Sequence, residues 1–139
     1  MAKVYLAARY SRRQEMLGVR DVLEAFGHEI TSRWINSDHQ VDDKGLSVEA
    51  EHSERVRFAI EDWKDLQDAD WVLNFTEPPR STNSRGGRHV ELGGALALGK
   101  RCIVIGPREN VFHCLPQVEL FKTWRDFVAA VCPSFKETA

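Results

Sequence analysis

Short apolar runs alternate along this chain with longer segments of helical period, and that order of elements constrains the fold more than any other feature. Lys3 to Ala8 reads as a first strand. Ser11 to Phe26 reads as an amphipathic helix stopped at Gly27, and Glu29 to Trp34 as a second strand. A polar loop runs to about Ser47. Glu49 to Ala69 then reads as a long helix, Trp71 to Thr76 as a third strand, Gly87 to Leu98 as a helix and Arg101 to Ile105 as a buried fourth strand ended by Gly106-Pro107. A short strand near Val118 to Phe121 and a closing helix from Thr123 to Val131 complete the series. Strand and helix in strict alternation predict an α/β three-layer sandwich with a mostly parallel sheet of four to five strands, formed by one domain over 1–139.

Composition removes several classes of function. The 139 residues are 42% hydrophobic, enough to bury a core, and the net charge of −2 gives no general attraction to nucleic acid polymer or anionic membrane. No apolar run approaches the roughly 20 residues that span a bilayer, and Met1-Ala2-Lys3 leads into a strand without signal-peptide features. A cytoplasmic protein is expected. Cys102, Cys114 and Cys132 are odd in number and form no CxxC pair, and the five histidines form no HxxxH pair. Neither a disulfide framework nor a metal site is expected, and no cofactor is implied.

The stretch Arg85-Gly86-Gly87-Arg88-His89-Val90-Glu91-Leu92-Gly93-Gly94 carries the strongest chemical signal. It follows the third strand and a loop holding Pro78, Pro79, Ser81 and Asn83, which puts Glu91 in the first turn of a helix near a strand's carboxyl end. Ligands of open parallel sheets bind in that crevice. The helix dipole favours an ionised carboxylate there, as an anionic nucleophile requires, although an acidic residue can also merely complement the dipole.

Asp62 is the second signal. Stepping 100° per residue, Val56, Phe58, Ala59, Ile60, Trp63, Leu66 and Ala69 share one arc of the long helix, while Glu54, Arg57, Glu61, Lys64, Asp65 and Asp68 share the other. Asp62 falls within the apolar arc. A carboxylate placed against the sheet is either paired, with Arg55 the partner on the same side, or functional. Burial would raise its pKa and suit it to assist a departing base. Two carboxylates in contrasting environments match the division of labour in retaining glycoside chemistry.

The chain resembles the nucleoside 2-deoxyribosyltransferase family, including its 2′-deoxynucleoside 5′-monophosphate N-glycosidase relatives. The resemblance runs through Lys3-Val4-Tyr5-Leu6-Ala7-Ala8, Glu61-Asp62-Trp63-Lys64-Asp65-Leu66-Gln67-Asp68-Ala69-Asp70 and Gly87-Arg88-His89-Val90-Glu91-Leu92-Gly93. It implies a flavodoxin-like doubly wound sheet. It also implies that Glu91 is the glycosyl-accepting nucleophile, Asp62 the carboxylate near base and sugar, and Tyr5 the hydroxyl that orients Glu91. A small-molecule nucleoside or nucleotide is the implied partner, with pockets completed by a neighbouring subunit of a homodimer or larger homo-oligomer.

The turns depart from the monophosphate hydrolases, with Arg9-Tyr10-Ser11-Arg12-Arg13 after the first strand and Arg80-Ser81-Thr82-Asn83-Ser84-Arg85-Gly86-Gly87 before the catalytic helix. Arginines and free backbone amides at two adjacent turns nevertheless suit a 5′-phosphate, unless the arginines are solvated surface charges. The expected substrate-binding positions are Ala8, Arg9, Ser84, Gly86, Gly87 and Arg88, together with Trp34, which either stacks on a base or packs into the core. The Asn36 to Ser47 loop reads as a lid or a solvated connection, and Asn110-Val111-Phe112-His113 as an exposed interface segment. The leading reading is hydrolysis of an N-glycosidic bond through a Glu91 ester. Base exchange at the same site and a non-catalytic nucleotide-binding module are the alternatives; a dinucleotide site is not expected, because no GxGxxG follows the first strand.

Overall fold

The computed structural model describes residues 1–36, 48–83 and 85–132, with the side chains of 48–51 left aside. Its strands are β1 (Lys3–Ala7), β2 (Glu29–Ile30), β3 (Trp71–Phe75), β4 (Arg101–Ile105) and β5 (Val118–Phe121). Its helices are α1 (Arg13–Ala25), α2 (Val48–Asp68), α3 (Gly87–Ala97) and α4 (Trp124–Val131). All pairings are parallel, in the order β2-β1-β3-β4-β5. The order reverses between β1 and β3. Right-handed crossovers then place α1 on one face and α2 and α3 on the other. This is the flavodoxin-like doubly wound sheet.

The central strands read as continuous apolar runs because both faces are covered. Val4, Tyr5, Leu6, Val72, Leu73, Phe75 and Ile103 have no exposed surface. Register sets which residues share a face: Tyr5 pairs with Val72 and Ala7 with Asn74, so these four point towards α2 and α3. Phe75 points the other way and meets Trp124 of α4.

Several elements differ from the sequence expectation. The second strand does not extend to Trp34. Beyond Ile30 the backbone groups of Leu6 are taken by side chains instead of a ladder: Leu6 N donates to Ser32 Oγ (3.1 Å), and the Trp34 indole donates to Leu6 O (2.7 Å). The chain turns there into a 3-10 segment, Arg33–Asn36. Residues 10–12 form another 3-10 turn, so α1 begins at Arg13 rather than Ser11.

The long helix is rotated from its projected phase. Asp65, expected on the solvated arc, is buried, while Val56, Ile60 and Trp63, expected inside, are 41%, 65% and 42% exposed. Asp65 is held by Arg33, whose backbone N–H donates to Oδ2 (2.9 Å) and whose Nε donates to Oδ1 (3.0 Å). The pair anchors the 3-10 segment to α2. Period alone does not reveal this ion pair, and of the projected apolar arc only Leu66 and Ala69 are buried.

Gly106 ends β4 with φ of 122°, and a Cβ there would lie 2.5 Å from Thr76 Oγ1. Gly106→Ala is therefore expected to destabilise the fold by about 2 to 4 kcal/mol through backbone strain and overpacking, measured by urea unfolding.

Candidate active site

Tyr5 lies in the middle of β1, fully buried, and its hydroxyl donates to Glu91 Oε2. The bond joins the central sheet to α3. Asp62 on α2 is half-buried, with Oδ1 shut off from solvent, and its charge acts on both Tyr5 and Glu91. Strand β1 and the two helices packed on the same face of the sheet, α2 and α3, thus bring Tyr5, Asp62 and Glu91 to one place.

The helix carrying Glu91 begins at Gly86, a cap with φ of 86° and no side-chain capping bond. Glu91 is thus the fifth helical residue, not a first-turn residue, and the first turn contains no acid. Dipole stabilisation is weaker there. Burial pushes the Glu91 carboxyl up to about 8, the Tyr5 hydrogen bond opposes that rise, and the neighbouring Asp62 charge adds to it. The expectation of a carboxylate kept ionised by the helix terminus is corrected accordingly. Tyr5 is raised well above its ordinary value by burial, then by Glu91 and Asp62. The centre thus disfavours accumulated negative charge, and positive charge developing beside it would relieve that.

The expected binding residues divide. Ala8 and Arg9 follow β1 at the carboxyl edge, and Gly86 and Gly87 open α3 on the same edge; Gly87 has open space around its Cα hydrogen position. Ser84 lies outside the described residues, as does the 37–47 part of the polar loop. Trp34 is 6% exposed, with its ring against Tyr10 and its N–H spent on Leu6 O, so it belongs to the core and offers little face to a base.

Arg88 is not directed outward. It is buried, and its guanidinium forks onto Glu109, with Nη1 donating to Oε1 and Nη2 to Oε2 (2.9 Å). Glu109 also accepts from Glu77 N (2.8 Å), while its own N–H donates to His113 Nδ1 (2.8 Å). Asn74 Nδ2 donates to Arg88 O (2.7 Å) from beneath. Four segments at the carboxyl edge are joined through Arg88 and Glu109. Salt-bridging holds the Glu109 carboxyl below its usual range despite burial. Of the Asn110–His113 stretch, Val111 and Phe112 are exposed, but His113 is buried.

Glu77, Glu109 and Asn74 were not singled out from sequence. Their one available signal is position, each standing at or just beyond the carboxyl end of a strand.

The fold and the site's location define a flavodoxin-like α/β protein with an ionisable centre at the strand carboxyl ends. Among solved structures, it is similar to a 2-deoxyribosyltransferase from Bacillus psychrosaccharolyticus, at 22% identity over 90% of this chain and 89% of that one, with a TM-score of 0.65. It is also similar to the CMP N-glycosidase BcmB of Clostridium botulinum, at 19% identity over 95% of this chain and 99% of that one, with a TM-score of 0.57. No protein-family model matches the chain, and no curated protein matches it in sequence.

A carboxyl pushed up to about 8 in the fold makes stability fall as pH rises from its unfolded value near 4.5 through 8, since the unfolded chain releases that proton first. Glu91→Gln removes the effect. The variant should gain stability over wild type across that window, on the order of 2 kcal/mol by pH 8.5 and little at pH 4, in denaturant titrations at each pH.

Proposed function

We propose that the protein is an enzyme that cleaves the N-glycosidic bond of a nucleoside or nucleoside 5′-monophosphate with retention, through a glycosyl ester on Glu91 resolved by water. The single observation that carries this reading is the Tyr5 hydroxyl donating to a half-buried Glu91 within the field of Asp62. The fold shared with a deoxyribosyltransferase and a CMP N-glycosidase supports it.

In this mechanism a Glu91 oxygen attacks the anomeric carbon as the carbon–nitrogen bond breaks, and the bond's electrons leave with the base. Asp62 gives the base a proton, then takes one from the water that attacks the same carbon and frees Glu91. The chemistry needs one carboxylate and one carboxylic acid. Mutual repulsion in a buried setting keeps one proton on such a pair at neutral pH. In the free protein burial holds that proton on Glu91; its transfer to Asp62 frees the attacking carboxylate, and the Tyr5 hydrogen bond, which favours ionised Glu91, assists the transfer. If a second base rather than water resolves the ester, the same residues perform base exchange.

We further place the enzyme in the cytoplasm as a homo-oligomer. Free Cys102, Cys114 and Cys132 suit a reducing compartment, and exposed Val56, Ile60, Trp63 and Val90 suit self-association.

Chromatographic detection of released base from ribo- and deoxynucleosides and their 5′-monophosphates, with and without a second free base, tests the function. Wild type should release base and Glu91→Ala should not; a new nucleoside formed only with added base would make the enzyme a transferase, and binding without turnover would refute catalysis. Loss of the shared proton should lower kcat/KM as pH rises through about 8. Tyr5→Phe should reduce kcat about 10- to 100-fold and move that fall to higher pH, because the bond that opposes the rise in the Glu91 pKa is gone.

A further inference from the structure

Resting on the glycosidic reading above, we infer that Glu77 is a specificity residue that turns this site away from 5′-phosphates, so that its substrate is a nucleoside with an uncharged 5′-hydroxyl. The crevice between the carboxyl ends of β1 and β3, where the strand order reverses, is where this fold class offers room for an anionic group. Arginines reach it from the turn after β1. In this chain a carboxylate of its own already stands between them. Glu77, two residues beyond β3, accepts from Arg12 Nη1 through Oε2 (2.9 Å), and its Oε1 lies 4.0 Å from Arg9 Nη1.

Arg12 has little left to offer a ligand. Its Nε and Nη2 fork onto Glu15 at 2.9 and 2.6 Å, and Nη1 also reaches Thr76 O at 3.4 Å. Its guanidinium carbon lies 5.4 Å over the Phe75 ring. On the neighbouring turn Arg88 is matched by Glu109 in the same way. Three arginines at the carboxyl edge, Arg9, Arg12 and Arg88, face three carboxylates, Glu15, Glu77 and Glu109.

Glu77 is also fixed in place. Its backbone N–H donates to Glu109 Oε1 (2.8 Å), and its side chain is only 15% exposed. A phosphate drawn to Arg9 and Arg12 would sit beside this carboxylate or displace it from Arg12. A unit charge beside a dianion at about 5 Å in water-like surroundings changes affinity about tenfold or more. A neutral hydroxyl meets no such repulsion and can donate to a carboxylate oxygen.

The test compares a nucleoside with its own 5′-monophosphate on wild type and Glu77→Gln, together with calorimetric titration of each protein with inorganic phosphate. Wild type should favour the nucleoside in kcat/KM. Glu77→Gln should raise the monophosphate-to-nucleoside ratio at least tenfold and bind inorganic phosphate at least tenfold more tightly. A wild type that prefers the monophosphate overturns the inference even if the variant fails to fold. A ratio and a phosphate affinity both unmoved by the substitution overturn it as well. If wild type cleaves neither substrate, the glycosidic reading fails, while the phosphate titration still decides what Glu77 does.

Discussion

The hydrogen bond from Tyr5 to Glu91 is the interaction around which the site is arranged. It can form only if a central strand and a crossover helix come into direct contact. Tyr5 is fixed by its place in β1, paired to β3, and cannot move to meet the helix. The helix side is supplied by glycines. Gly86 takes a left-handed conformation to start α3, and Gly94 lets α2 approach so closely that a Cβ there would lie 2.7 Å from Trp63 Cη2. That approach brings Asp62, the residue before Trp63, into the field of Glu91 and Tyr5.

Strand and helix order was legible because burial on both faces leaves apolar runs that need no knowledge of contacts. Arg101–Ile105 and Val118–Phe121 fall where the sequence put them. What was not legible depends on side chains satisfying distant groups. Trp34 has the composition of a strand residue, yet its indole reaches across to Leu6 O and the strand ends early. Asp65 sits on the polar arc by period, yet Arg33 draws it inward. Arg88 resembles a ligand residue in the linear sequence, and only the structure reveals Glu109, 21 positions later, as its partner.

The same distinction separates the centre of the site from its rim. Tyr5, Asp62 and Glu91 are legible in the sequence as a possible catalytic set, and the fold brings them together. The protonation expected of them changed, because the pKa of Glu91 follows burial more than its distance from a helix terminus. At the rim, arginines read as an anion site meet carboxylates from the first turn of α1 and from the loops after β3 and β4. Counting arginines gives the charge that is present, and pairing decides how much of it reaches a ligand.

The measurement that bears most directly on Glu91 is mass spectrometry of protein quenched during turnover and digested, with a nucleoside that the enzyme cleaves. The account predicts a peptide carrying one glycosyl group on Glu91, absent from the Glu91→Ala variant. Steady base release with no adduct under any quench, or an adduct mapped to another side chain, would contradict it.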